Sequence, residues 1–159
     1  MNRFIYLDST IPSYLFDDRE SLKTYIEVTQ KWWDEERRNF KLRISEESII
    51  ELSNGDYPNK EKILSCISNI EMLPSDARVY EIAQIYIDNY LMPRSLGGDA
   101  IHLAYASYYK MDFLLTWNCN HLANANKRQH IRIINARLNL PTPEIITPLE
   151  LFTEIEDGN

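Results

Sequence analysis

Glycine and cysteine are scarce in this sequence, and long apolar runs are absent. The 159 residues include four glycines and two cysteines, and Cys66 and Cys119 are too far apart in the chain to form a C-x-x-C pair. A disulfide framework or a zinc site is therefore not expected. No stretch approaches the roughly 20 apolar residues of a membrane-spanning helix. Asp8, with no apolar run after it, argues against a secretory signal, so we expect a cytoplasmic protein with no membrane partner.

Acidic residues are also missing from one long stretch of the chain. The net charge is −7, yet residues 113–143 contain no Asp or Glu and hold Arg128 and Arg132, one helical turn apart. An acidic body argues against binding nucleic acid through bulk charge, but a basic strip could accept a polyanion at one place. Arg128 and Arg132 could bind phosphates together, or they could belong to an ordinary solvated helix face.

The length and a hydrophobic content of 44% predict a single globular domain over residues 1–159. Short apolar runs alternate with helical periodicity, which predicts a three-layer α/β/α domain with a mostly parallel central sheet. The predicted strands cover residues 4–7, 41–44, 70–73, 113–116 and 144–147. The predicted helices begin near Ser9 and cover about 21–39, 45–54, 58–68, 75–91, 98–108 and 123–138.

Three acids differ from the solvated ones in their local sequence. Asp8 follows an apolar strand, Glu51 lies between apolar residues of a helix, and Asp99 opens an apolar helix. Carboxylates gathered at a sheet edge need a cation, and oxygen ligands suit Mg²⁺ or Mn²⁺. Each acid also has a structural alternative: Asp8 and Asp99 could cap helices, and Glu51 could be a salt-bridged acid.

Four segments resemble the motifs of PIN domains. They are YLDSTIPS (6–13), SIIEL (48–52), GDAIHLAYA (98–106), which is the most specific, and DFLLTWN (112–118). Their order and spacing span nearly the whole chain, and the resemblance is greatest to small prokaryotic PIN proteins of the VapC toxin type. It implies a PIN-like fold and a metal-dependent endoribonuclease that acts on RNA and is held by a cognate antitoxin.

By this resemblance, Asp8, Glu51 and Asp99 are the metal-binding acids, and the fourth acidic position of the family falls at Asn118. An amide offers an oxygen but no negative charge. We therefore expect one firmly held metal or weak activity, with Asn120 as a partial substitute.

Several neighbouring residues are secondary candidates. Ser9 or Thr10 could hold a metal-bound water, although helix capping is the favoured interpretation. Ser45 is predicted to cap the helix that follows it. Thr116 could bind a phosphate or order Asn118. His102 is more typical of a satisfied core histidine than of a metal ligand. The apolar helices at 21–39 and 75–91 could form a homodimer face or an antitoxin groove, or simply cover the sheet.

Two other functions compete with the nuclease hypothesis. A non-cleaving PIN-fold module that binds RNA or protein is suggested by the amide at position 118. A metal-dependent phosphatase using Asp8 as nucleophile would normally carry a second acid two residues later, where this chain has Thr10.

Overall fold

The computed structural model describes residues 3–89, 91, 97–118 and 125–153. Strands and helices alternate along these ranges as the sequence predicts. The strands are β1 (Arg3–Leu7), β2 (Phe40–Ile44), β3 (Glu71–Met72), β4 (Phe113–Leu115) and β5 (Glu144–Ile146). The helices are α1 (Thr10–Leu15), α2 (Lys23–Glu35), α3 (Glu46–Ser53), α4 (Lys60–Ile67), α5 (Ala77–Asp88), α6 (Gly97–Tyr108) and α7 (Ala125–Arg137).

The five strands form one parallel sheet in the order β3-β2-β1-β4-β5. In the centre, Ile5 of β1 is in register with Leu42 of β2 on one side and with Phe113 of β4 on the other. β2 and β3 lie on one side of β1, and β4 and β5 lie on the other side. The strand order therefore reverses between β1 and β4, which is the topological switch point. Ligands of such open sheets bind beyond the carboxyl ends of the strands at this point.

Helices cover both faces of the sheet. On one face, α1 to α4 contribute to a core that contains Trp32 and Ile63. On the other face, α5 to α7 contribute to a core that contains Tyr86 and Tyr105. The predicted three-layer α/β/α architecture is confirmed.

The predicted bounds differ most at α2. The helix was expected over 21–39, but it ends at Glu35, and the turn over Arg37–Asn39 is a 3-10 helix. The chain tightens there because it must reverse into β2, which begins at Phe40. In the described part of the chain, no helix has the length and apolar character needed to cross a membrane.

Candidate active site

Asp8 follows β1 directly and is almost completely buried, with 2% of its surface exposed. Its Oδ1 accepts hydrogen bonds from the backbone N–H and the hydroxyl of Thr10, at 3.0 and 2.5 Å, and its Oδ2 accepts one from the Thr116 hydroxyl. Burial raises the pKa of Asp8, although the charge of His102 and these hydrogen bonds act in the opposite direction. The site therefore holds a carboxyl group whose negative charge is poorly compensated.

Glu51 lies on α3 and has both carboxylate oxygens engaged. Ser9, next to Asp8, donates its hydroxyl to Oε2 at 2.5 Å, and Nε2 of His102 lies 2.7 Å from Oε1. Burial alone would raise the pKa of Glu51, but the hydrogen bond and charge of His102 and the Ser9 hydroxyl lower it overall. Glu51 is thus held as an anion beside Asp8. The salt-bridged alternative for Glu51 is what the geometry shows, with a histidine as partner.

His102 is buried and has a partner on each ring nitrogen. Nδ1 lies 2.5 Å from the hydroxyl of Tyr6, which in turn lies 2.6 Å from the hydroxyl of Ser45. Burial disfavours the charged imidazole, but the bond to Glu51 and the neighbouring acids raise the pKa of His102 above its ordinary value. The prediction of a satisfied core histidine is confirmed, and its partner is a predicted site residue.

Asp99 and Asn118 are in direct contact. The side-chain amide of Asn118 donates to Oδ2 of Asp99 at 2.8 Å. The backbone N–H of Asn118 donates to the hydroxyl of Thr116 at 2.9 Å, and Thr116 is also bonded to Asp8. The structure therefore joins Asp8, Asp99 and Asn118 through Thr116, at the carboxyl ends of β1 and β4.

The hydroxyls predicted to cap helices have other partners. Ser9 and Ser45 occupy the N-cap positions of α1 and α3, but neither makes a side-chain capping bond. Ser9 instead bonds Glu51, Thr10 bonds Asp8, and Ser45 bonds Tyr6. The capping prediction is wrong because buried carboxylate and phenol groups at the sheet edge take these hydroxyls as their own hydrogen-bond partners.

The fit of this site to a divalent cation can be judged from its donor chemistry. Asp8, Glu51 and Asp99 offer hard oxygen atoms, and no Lys or Arg among the described residues bonds Asp8 or Glu51. With the side chains in this arrangement, the described ranges contain no group of three His, Cys, Asp or Glu residues that could hold a metal ion. The oxygens suit Mg²⁺ or Mn²⁺, but Glu51 and Asp99 would have to exchange present partners for the ion.

Sequence reasoning missed two residues of this network. Tyr6 shares a strand face with Asp8, since side chains two residues apart point the same way, and its hydroxyl supports His102. Glu47 precedes Glu51 by one helical turn, and the Oε1 atoms of both residues lie within 4 Å of the position that a Cβ on Gly98 would take. Burial, with the charges of Glu51 and Glu46, raises the pKa of Glu47 against the opposing charge of His102. The sequence signals for these two residues were the two-residue spacing between Tyr6 and Asp8 and the four-residue spacing between Glu47 and Glu51.

The remaining predicted site residues lie elsewhere. Arg132 is exposed and Arg128 is partly buried on α7, which packs on the sheet through Ile131 and Ile134. Asn120 falls outside the described residues.

Comparison with solved structures finds a similar fold in chains from toxin–antitoxin structures. The chain resembles VapBC2 from Rickettsia felis bound to a DNA fragment from their promoter, with a TM-score of 0.52, 14% identity, and coverage of 91% of this chain and 98% of that one. It resembles a toxin–antitoxin complex from Klebsiella pneumoniae with a TM-score of 0.59, 16% identity, and coverage of 91% and 97%. It also resembles VapBC-1 from nontypeable Haemophilus influenzae with a TM-score of 0.57, 14% identity, and coverage of 92% and 98%.

These similarities support the predicted PIN-like fold and, at this identity, the fold alone. No family model matches the sequence, and no curated protein matches it either.

Proposed function

We propose that this chain is a metal-dependent endoribonuclease, the toxin of a VapC-like toxin–antitoxin pair. The observation that carries the proposal is a hydrogen-bonded network at the carboxyl ends of β1 and β4. Thr116 joins Asp8 to Asn118, and Asn118 bonds Asp99. Glu51 accepts a hydrogen bond from Ser9, the residue after Asp8. This point is the topological switch at which open parallel sheets bind their ligands.

The proposed reaction is hydrolysis of an RNA phosphodiester, in which a water oxygen bonds to phosphorus as the P–O bond to the leaving ribose oxygen breaks. A bound Mg²⁺ or Mn²⁺ would lower the pKa of that water and offset charge on the phosphate. Asp8, Glu51 and Asp99 would hold the ion through their oxygens. Thr10 and Thr116 fix the Asp8 carboxylate by hydrogen bonds, so that little reorganisation is needed there.

The test is cleavage of a labelled RNA panel in Mg²⁺ and in Mn²⁺ by the wild type and by Asp8→Asn and Asp99→Asn. We expect both substitutions to abolish cleavage, whereas Asp56→Asn, an exposed control of the same chemistry, should not. Undiminished cleavage by both site variants would refute the assignment of these acids.

A non-cleaving module that binds RNA or protein is the second candidate, and one observation favours it. The amide of Asn118 is hydrogen-bonded to Asp99, where a cation-binding site would place a fourth acid. Metal titration distinguishes the two functions, because binding of RNA without cleavage at any Mg²⁺ or Mn²⁺ concentration would support the binding module.

The proposed protein partner is an antitoxin, as in the toxin–antitoxin complexes that share the fold. The helices predicted to form a partner face, α2 and α5, pack mainly onto opposite faces of the sheet, so they do not form one groove together. Each leaves one tyrosine exposed, Tyr25 and Tyr80. Co-purification with the product of the adjacent upstream reading frame would test this partnership, and a homodimer would be detected by the mass of the purified chain in solution.

A further inference from the structure

We infer that His102 is a positioning residue that sets the orientation of the Glu51 carboxylate in the site, with Tyr6 supporting it from behind. The inference rests on the proposed function for its consequence, but its geometry stands without it. Four side chains form one chain of hydrogen bonds, in the order Ser45, Tyr6, His102 and Glu51.

The direction of the bond at Glu51 follows from its chemistry. A carboxylate can only accept, so the hydrogen between Oε1 and the ring belongs to Nε2 of His102. Both the neutral and the protonated ring can carry this hydrogen, so the bond to Glu51 does not depend on the charge of His102. In the neutral ring, Nδ1 then accepts from Tyr6 and Tyr6 accepts from Ser45, and in the protonated ring these two bonds run in the opposite direction. Burial strongly raises the pKa of Tyr6, so its phenol keeps the proton that this arrangement requires.

The surroundings leave the ring little freedom to turn. The side chain of His102 is 2% exposed, and its ring packs against the ring of Tyr6 with centroids 5.5 Å apart. Tyr6 is itself fully buried and stacks on Tyr105. The side chain of Glu51, by contrast, is 32% exposed, and its carboxylate lies at the end of several rotatable bonds. The rigid histidine therefore orients the more mobile carboxylate rather than the reverse.

A second contact from α6 acts on the same oxygen. Gly98 lies one helical turn before His102, and a Cβ at this position would overlap Oε1 of Glu51. The glycine makes room for the carboxylate and the histidine holds it there. Helix α6 thus carries Asp99 and also determines where Glu51 points, which couples two of the proposed metal-binding acids to one rigid element.

Two near-isosteric substitutions distinguish the bond from His102 to Glu51 from the bond between His102 and Tyr6. In His102→Gln the side-chain amide reaches the place of Nε2 and can still donate to Glu51. In His102→Asn the shorter amide reaches only the place of Nδ1, so it can still bond Tyr6 but not Glu51. Both variants lose the imidazole and place an amide in the core, so a purely structural role of His102 would affect them alike.

The experiment compares crystal structures of both metal-free variants and their Mn²⁺ dissociation constants measured by calorimetry. We expect Glu51 to keep its orientation in His102→Gln and to leave it in His102→Asn, with Mn²⁺ affinity 10- to 100-fold weaker in the latter, as outer-shell changes typically cause. An unmoved Glu51 in His102→Asn, or equal affinity of both variants, would overturn the inference. If the wild type binds no Mn²⁺, the proposed function fails, and the Glu51 orientations alone decide the positioning role.

Discussion

The amide of Asn118 donates a hydrogen bond to the carboxylate of Asp99 at 2.8 Å, at the position where the resemblance to PIN domains predicts a fourth acid. A neutral donor in contact with Asp99 compensates part of its charge. If the site binds a cation as proposed, this contact favours the metal-free protein, which is the physical reason to expect weaker metal binding here.

Replacing this amide by an acid should reverse both effects. In Asn118→Asp, two carboxylates would meet, and a repulsion of about 1 kcal/mol should lower the Tm in EDTA by about 2–4 °C. Mn²⁺ should restore the Tm, and RNA cleavage should rise. Differential scanning calorimetry with EDTA and with Mn²⁺ measures the change, and Asn139→Asp at an exposed position is the control. A Tm that is insensitive to Mn²⁺ would contradict the prediction.

Thr116 connects Asp8 with Asn118, so its hydroxyl should matter more than its methyl group. Thr116→Val removes a donor to Asp8 and an acceptor for the backbone of Asn118. Leaving these buried groups unpaired should cost about 1–3 kcal/mol. Thr116→Ser keeps the hydroxyl and should retain both stability and cleavage, as measured by urea denaturation and an RNA assay. Equal losses in both variants would show that the hydroxyl is not the important group.

Gly98 should be more important to the site than to the fold. In Gly98→Ala the methyl group would displace Oε1 of Glu51 from His102, while alanine is the better helix former. We expect cleavage and Mn²⁺ affinity to fall by about tenfold or more. The buried imidazole loses its acceptor, at a cost of about 1–3 kcal/mol that the helix preference of alanine partly offsets, so the Tm should fall by only a few degrees. Gly55→Ala offers the opposite case, because Gly55 has a φ of +78° and no atom within 4 Å of a Cβ. That substitution should lower the Tm and leave cleavage intact.

The burial of Asp8 predicts a pH dependence of stability in EDTA. The pKa of Asp8 in the folded chain is raised above the ordinary value of 3.8. In the pH interval between the ordinary and the raised pKa, the folded chain therefore holds a proton that the unfolded chain has released. The free energy of unfolding should therefore fall as pH rises through this interval. In Asp8→Asn this loss is absent, so the variant should gain stability relative to the wild type from acid to neutral pH. Urea denaturation across this range tests the sign, and a constant difference would contradict it.

The basic face of α7 gives a prediction for RNA binding. Arg132 is exposed, and if it contacts a phosphate, Arg132→Gln should reduce the slope of log affinity against log salt by about 0.7, the value for one contact with a single strand. Arg38→Gln, an exposed arginine before β2, is the matched control. An unchanged slope in Arg132→Gln would assign Arg132 to an ordinary solvated face.

The fold could be predicted from sequence because its signals are local. The apolar run before Asp8 and the one at Phe113–Leu115 became the paired strands β1 and β4, and their carboxyl ends placed Asp8 and Thr116 together. The partners of hydroxyl groups could not be predicted in this way. Ser9 and Ser45 have typical N-cap sequences, but their bonds reach Glu51 and Tyr6, residues more than 35 positions away. Such choices depend on which buried groups need a partner after the sheet has formed.

The hydrogen bond between Thr116 and Asp8 spans 108 positions of the chain. β1 can pair with β4 only after the long intervening stretch of chain has been made, and contacts of such long sequence separation form slowly. A chain truncated before β4 lacks both Thr116 and Asn118, and with them the hydrogen bonds that hold the carboxylates of Asp8 and Asp99. The arrangement of acids at the carboxyl ends of these strands is therefore a late product of folding, formed after the two central strands have met.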